Sequence, residues 1–253
     1  MRGDSSAGDY RKRLYDSYVT THMKTLGDVN ETGLRQAAQA YDSCFRAFLP
    51  ADQGAAIAEV GCGYGRFLHW LRELGYRNTC GVDSSPEMVA HAARLGIAGV
   101  KQGDVVKFLE EHPGAFERIF AIDVMEHFKK EEVLPFLDAC LSALKAGGML
   151  VIETVNAEGF GWGRLRHGDF THEYAYTPNS LSQLLLASGF SSPSFCPVRP
   201  FGAGWRALLR RLSWRIVEQL GRVYLHAGTS SGLINSGHIL TDNLIASARR
   251  PAL

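Results

Sequence analysis

Apolar and polar positions alternate in blocks through the middle of the chain. Short apolar runs at residues 55–60, 79–82, 99–102, 118–122 and 149–154 have the length of buried strands. Between them, 66–74, 86–95, 105–111 and 130–143 carry apolar residues at helical spacing. The punctuation agrees: Ser85 and Pro86 supply an N-cap and a proline at the first helical position, and Gly96 closes that helix. Strands that alternate with helices pair in parallel, so this stretch predicts a doubly wound α/β sheet.

The flanks follow other patterns. Residues 10–24 and 32–49 predict two helices separated by the turn Gly27-Asp28-Val29-Asn30. After Thr154 comes a glycine-rich loop over 156–170 with Phe160 and Trp162. Thr177-Pro178 then caps a helix that runs to Ser188 and stops at Gly189. Residues 205–224 predict a basic amphipathic helix, and 242–248 a last edge strand. The organisation expected is a helical extension over 1–50, a core over 51–156, and a covering segment of the same domain over 157–253.

Composition narrows the class only a little. The 253 residues are 45% hydrophobic and 21% charged with a net charge of +1, which suits one globular domain and offers no global argument for nucleic acid. The five cysteines are scattered without C-x-x-C or metal-ligand spacing, and no structural metal is expected. They read as reduced thiols of a cytoplasmic protein. Residues 1–8 have no apolar h-region and no run of eighteen apolar residues exists, so neither a signal sequence nor a membrane span is expected.

The chemistry begins at Glu59-Val60-Gly61-Cys62-Gly63-Tyr64-Gly65, between the first strand and the helix that follows. Such a loop presents backbone N–H groups and a helix N-terminus to a ligand. A dinucleotide fingerprint wants a third glycine where Arg66 stands, so the loop suits a ligand without a pyrophosphate. Asp83 ends the second strand, where a carboxylate can accept from both hydroxyls of a ribose. Gly103-Asp104 follows the third strand, where an adenine amino group would find an acceptor. Asp123 ends the fourth strand and opens Asp123-Val124-Met125-Glu126-His127-Phe128.

Taken in order, E-V-G-C-G-Y-G, G-V-D-S-S-P-E-M, G-D, A-I-D-V-M-E-H-F and L-K-A-G-G-M-L-V-I-E-T resemble the successive motifs of class I S-adenosylmethionine-dependent methyltransferases, over residues 57–154. The resemblance implies a mostly parallel, seven-stranded Rossmann-like sheet with S-adenosylmethionine as methyl donor. It implies Glu59, Gly61 and Gly63 around the methionine moiety, Asp83 on the ribose, Asp104 with Val105 on the adenine, and Asp123 lining the donor pocket. Cys62 in the loop and Ser84 after Asp83 complete the candidate donor set. Arg13-Leu-Tyr-Asp-Ser-Tyr-Val-Thr-Thr-His22, Gly168-Asp-Phe-Thr-His-Glu-Tyr-Ala-Tyr-Thr177, Ser180-Leu181 and Ala187-Ser-Gly-Phe190 are similar to methyltransferases of lipopolysaccharide and exopolysaccharide assembly, whose implied acceptor is a sugar hydroxyl.

A hydroxyl nucleophile gains from a base within hydrogen-bond reach. His127, after the fourth strand, and His172, flanked by Asp169 and Glu173, are the two candidates, and the sequence does not choose between them. Tyr15 and Tyr18 share one face of the first helix and read either as a lid or as plain packing. Tyr18, Trp162, Asp169, Glu173 and Tyr176 are candidate acceptor contacts; Phe160, Trp162, Tyr174 and Tyr176 read either as an aromatic platform for a sugar ring or as the hydrophobic underside of a loop. In 205–224 an apolar face opposes Arg211, Arg215 and Arg222, and a face that wide ordinarily packs on its own domain. The alternatives are an anionic membrane surface, which would place the protein at the inner face of a membrane, or the phosphates of a lipid- or nucleotide-linked glycan.

The leading expectation is an enzyme that methylates a sugar hydroxyl of a glycan or its precursor. The alternatives are a methyltransferase for a quinone precursor, polyketide or other small molecule, and a silent binding subunit of the same fold. No nucleic-acid module is evident.

Overall fold

The structure is a computed structural model and describes residues 10–23, 31–202, 204–228 and 238–252. The opening residues 1–8, Lys24 and the turn over 27–30 lie outside the described residues.

Seven strands form one sheet in the order β3-β2-β1-β4-β5-β7-β6. They are β1 (Ile57–Val60), β2 (Thr79–Asp83), β3 (Val100–Gln102), β4 (Phe116–Ile122), β5 (Leu144–Val155), β6 (Ser191–Pro197) and β7 (Asn243–Arg249). β1 to β5 pair in parallel, whereas β7 runs antiparallel to both β5 and β6. The doubly wound, mostly parallel sheet is therefore as the sequence predicts. Two details differ. The run at 242–248 is not an edge strand: its residues Leu244 to Ala248 are buried, and it lies between β5 and β6. The edge belongs to β6, whose polar, proline-containing sequence gave no strand signal.

The period-2 pattern sorts side chains to the two faces. Ala58, Ile119, Leu150 and Leu244 pack toward α5 (Val105–Glu110), α6 (Lys130–Ala143) and α8 (Pro178–Ala187). Ile57, Phe120, Val151 and Ile245 pack toward α2 (Glu31–Phe45) and α3 (Arg66–Glu73), around Phe45, Phe67 and Trp70. Each fully buried phenylalanine of this set contributes about 1.5–3 kcal/mol by leaving water. The helix α4 (Pro86–Arg94) covers the β2–β3 side, with Ser85 as its N-cap.

Helices depart from expectation at three places. The first stops early, as α1 (Tyr10–Tyr15), and a separate wide turn follows at Val19–Met23. Glu87 explains the break, because its carboxylate takes the N–H groups of Val19 (2.9 Å) and Thr20 (3.2 Å). The glycine-rich stretch contains a helix, α7 (Trp162–Gly168). The amphipathic helix, α9 (Gly204–Gly228), is the reverse of the packed helix expected. Ala207, Glu218 and Gly221 are buried, while Leu208, Leu209, Ile216 and Leu220 are more than half exposed.

Two features of connectivity place the site. After β3 the chain crosses back to β4 beside β1, which opens a crevice at the carboxyl ends of β1 and β4. Val155 pairs with Asn243 and Pro197 with Leu244, so the long β6–β7 connection, with α9 in it, leaves and returns at that same edge.

Candidate active site

The glycine loop turns immediately after β1. Gly61 and Gly63 both have left-handed backbones, φ 66° and 53°, where a side chain is strained. A methyl group on Gly61 would also come within 2.3 Å of Val124, so that position is closed by packing. On Gly63 the nearest atom would be Met88 Sδ at 3.9 Å, which leaves the backbone open to close approach by a ligand. The Gly63 N–H donates to Asp83 Oδ2 (2.7 Å), and the Ser85 N–H donates to Oδ1 (2.8 Å). Burial raises the Asp83 carboxyl and these two N–H donors pull it back. Each oxygen keeps lone-pair capacity for a diol.

Glu59 is the least satisfied group of the loop. It is buried, its Oε2 has no hydrogen-bond partner, and burial pushes its carboxyl well above the usual range. A buried acceptor in that state wants a donor. The α-ammonium of a methionine tail is such a donor, so the residues present fit S-adenosylmethionine.

The other candidate donor residues divide. Asp104 is the N-cap of α5, with Oδ1 accepting from Val106 (3.0 Å) and Lys107 (2.9 Å), and Val105 packs partly buried beside it. Cys62 is turned into the fold: its Sγ packs on Gly81 and its N–H donates to Val82 O (3.1 Å). Its side chain therefore lines no ligand space, contrary to expectation. Ser84 is exposed at the rim. Asp123 closes β4 at φ 54°, and its Oδ1 accepts from Asn243 Nδ2 (3.2 Å), which also donates to Glu153 (3.0 Å).

On the acceptor side, the turn Met125–His127 is pinned to the covering segment. Glu126 O accepts from Glu173 N (2.6 Å) and Tyr174 N (3.2 Å), and the buried Glu126 carboxylate accepts from Thr154 Oγ1 (2.9 Å). Burial, then the charge of Asp123, raise the Glu126 carboxyl. Tyr176 is 1% exposed, and its hydroxyl donates to Met125 O (3.1 Å). It is a core residue that fixes the turn, not part of an aromatic platform. Trp162 and Phe160 remain exposed.

The histidines meet here, with ring centroids 4.7 Å apart. His172 Nδ1 lies 2.9 Å from Leu165 O. Beside it, Glu173 accepts from Tyr10, and Asp169 accepts from Tyr18 (2.6 Å) and from Thr171 Oγ1 (2.7 Å) and N (2.8 Å). Thr171 Oγ1 in turn lies 2.9 Å from His127 Nδ1. Proton bookkeeping assigns this chain. The single hydroxyl proton of Thr171 goes to the carboxylate, so Thr171 must accept from His127 Nδ1–H. The neutral ring then keeps its lone pair on Nε2, the nitrogen a base uses. Thr171 drew no notice in the sequence, since a threonine between an aspartate and a histidine carries no motif.

The N-terminal segment crosses over both halves. Arg11 forms a two-toothed pair with Glu132 (2.7 and 2.6 Å) and donates to His127 O (3.2 Å). Ser85 Oγ donates to Tyr15 O (2.8 Å), on the donor side. Tyr15 packs edge-on against both Tyr18 and His127. Burial raises the hydroxyls of Tyr15 and Tyr18, so they stay protonated donors. Among the described residues, no group of three or more His, Cys, Asp or Glu is placed to hold a metal ion.

A doubly wound sheet with a glycine loop, acids at successive strand ends and a pair of histidines across the crevice defines a Rossmann-like domain for a nucleoside-bearing cofactor. The chain belongs to the methyltransferase domain family, whose model matches residues 34–192. Over 108 residues it is 32% identical to a ubiquinone biosynthesis O-methyltransferase of Xanthomonas campestris pv. campestris, a stretch that is 41% of this chain and 44% of that protein. The match thus spans less than half the length of the curated relatives. The fold is similar to a SAM dependent methyltransferase from Archaeoglobus fulgidus, with a TM-score of 0.66 at 19% identity over 92% of this chain and 100% of the other. It is also similar to phosphoethanolamine N-methyltransferase 2 of Haemonchus contortus in complex with S-adenosyl-L-methionine, with a TM-score of 0.61 at 17% identity over 94% and 60% of the two chains.

Proposed function

We propose that the chain is a S-adenosylmethionine-dependent O-methyltransferase acting on a hydroxyl of a small, partly apolar molecule, with His127 as the base. The observation that carries this reading is the hydrogen-bonded series Asp169, Thr171, His127, which sits across the crevice from the glycine loop. It is supported for the acceptor by the partial relatives, which are ubiquinone biosynthesis O-methyltransferases, and by Phe170, 82% exposed beside Asp169. That weighs for the small-molecule acceptor over the glycan. When bound, S-adenosylmethionine would supply a methyl group activated on a sulfonium, with the neutral thioether as leaving group carrying off the C–S electron pair. The chain supplies the rest. Glu59 and Asp83 orient the donor, the N-terminal segment excludes water, and His127 Nε2 takes the hydroxyl proton as the new O–C bond forms. Positioning the two reactants about 3 Å apart can supply much of the rate.

Turnover with phenols, catechols and nucleotide sugars tests the acceptor, and methylation of sugars alone would return the reading to glycans. Donor binding that fails up to about 1 mM would make the chain a silent module. His127→Ala is expected to lose about 100-fold or more in kcat with donor affinity unchanged. If His172→Ala does so instead, the base is assigned wrongly. Thr171→Val acts through His127, so its loss of kcat should come with an altered pH–rate profile and be rescued by Thr171→Ser.

A further inference from the structure

The helix α9 presents an apolar surface that the proposed reaction does not use. Trp205, Leu209, Leu212, Ile216, Leu220 and Val223 fall on one side of it, each between 44% and 67% exposed. They make a continuous apolar stripe about 27 Å long at 1.5 Å per residue. Its opposite side is the docked one. Ala207 and Gly221 are buried there, and a methyl group on Gly221 would meet Phe160 at 2.3 Å and Leu240 at 2.8 Å. The small residues let the helix sit close to the domain while its large apolar residues face away. Contiguous apolar patches of this size mark an interaction site rather than an ordinary surface.

The charges say what kind. At 100° per residue, Arg206 and Arg215 flank the stripe on its two sides and Arg210 lies further round beyond Arg206, whereas Arg211 and Arg222 fall beside the docked face, where Arg222 Nε is buried. The only acidic residue of the helix, Glu218, is buried on the docked side. Some of this charge also serves the fold, since Arg210 donates to Phe201 O and Arg211 reaches Gly202 O at 3.5 Å. An exposed apolar stripe flanked by Arg206, Arg210 and Arg215 is complementary to an anionic lipid surface, with the stripe at the acyl boundary and these guanidinium groups at the headgroups. Trp205 stands at one end of the stripe and Tyr224, 75% exposed, near the other, both amphipathic rings suited to that boundary.

From this arrangement we infer that α9 is a membrane-docking helix that lies flat on an anionic bilayer. No described helix is long and apolar enough to cross one. The inference goes beyond the proposed reaction and does not depend on it. Because the β6–β7 connection leaves and returns at the carboxyl edge, docking by α9 holds the acceptor side of the crevice close to the bilayer. Phe160, which joins Gly221 and packs edge-on near Trp214 (6.3 Å), ties the helix to the segment that covers that side.

Cosedimentation of the full chain with vesicles tests this without donor or acceptor. The wild type is expected to partition onto phosphatidylcholine vesicles containing phosphatidylglycerol, less as salt rises, and far less onto phosphatidylcholine alone. The triple variant Arg206→Gln, Arg210→Gln, Arg215→Gln should bind the anionic vesicles about 100-fold more weakly. Leu212→Glu, Ile216→Glu, Leu220→Glu together should abolish binding while leaving the circular dichroism unchanged, since all three side chains face solvent. Tryptophan emission should shift to the blue on vesicle addition, and Trp205→Phe should remove that shift. Failure to sediment with anionic vesicles, equal binding to neutral ones, or unaltered binding by the triple glutamate variant would overturn the inference. So would a wild-type dimer that the glutamates dissociate and that ignores vesicles, because the stripe would then belong to a second copy of the chain.

Discussion

At the scale of single residues, the site is built from groups the fold leaves partly unsatisfied. Glu59 is the extreme case, buried with an orphaned oxygen and a carboxyl raised by desolvation. A carboxyl whose folded pKa lies above its unfolded value binds more protons folded than unfolded. It costs nothing below about pH 4.3, where both states are protonated, and destabilises increasingly as pH rises toward the folded value. Glu59→Gln removes that dependence. The variant is therefore expected to gain stability over the wild type as pH rises above that point, with no difference in acid, as urea unfolding at several pH values would show. Donor binding should move the other way. Losing a charge-assisted bond of about 1.5–3 kcal/mol weakens S-adenosylmethionine by roughly 10- to 100-fold. Unchanged donor affinity in a calorimetric titration would remove Glu59 from the site. The turn after β1 was legible in the sequence because a strand followed by Gly61 and Gly63 leaves few backbone geometries open, whereas the roles of Glu59 and Asp83 toward the donor rest on the family resemblance. Residues whose role depends on partners far along the chain were not legible. The sequence leaves Tyr176 between an aromatic platform and the underside of a loop because nothing local shows that its hydroxyl reaches Met125, and Thr171 is silent because its meaning lies in His127, 44 residues away.

At the scale of elements, the N-terminal segment reads as a lid or as plain packing, and its contacts bear on the choice. No residue of α1 is fully buried, although Tyr15 is partly covered and Tyr18 and Val19 pack partly buried against the core. Polar contacts add to this: Arg11 to Glu132, Tyr10 to Glu173, Tyr18 to Asp169, and Glu87 to the Val19 and Thr20 amides. These span the donor and acceptor sides together, and a strap with mostly polar contacts opens at low free-energy cost. Arg11→Ala combined with Tyr18→Phe is expected to leave the unfolding midpoint within a few degrees of wild type, and to raise amide hydrogen exchange in 169–173. Turnover should fall through loss of water exclusion. Exchange that is unchanged there would mean the segment is static packing. The same polar contacts explain why the helix predicted over 10–24 breaks, since Glu87 removes two amides from its ladder. Elements with strict periodicity were read almost to the residue, as α6 at Lys130–Ala143 shows. Elements set by partners were misread, as β7 was when its antiparallel place between β5 and β6 could not be told from an edge.

At the scale of the molecule, the sheet carries one addition that it does not need for closure. β6 and β7 are antiparallel neighbours whose ends, Pro197 and Leu244, are paired. A short turn would join them, yet the chain runs through α9 before returning. Most described side chains of α9 face solvent, and its docked side buries mainly Ala207, Glu218 and Gly221. The amphipathic period in the sequence correctly predicts a helix there but not which face turns inward, because a hydrophobic stripe is silent about whether its partner is the domain or something outside it. Replacing residues 200–237 by a short glycine–asparagine turn separates the two roles. The loss of packing on Phe160 and Leu240 is worth about 1–3 kcal/mol. At about 2–4 °C per kcal/mol for a chain of this size, the melting temperature should fall by no more than about 12 °C. Donor affinity should stay within a few-fold of wild type, since every residue placed on the donor lies outside the excised stretch. Binding to anionic vesicles should disappear. If donor binding collapses with it in a chain that still melts cooperatively, α9 belongs to the catalytic domain, and the stripe it exposes must be explained from within the fold.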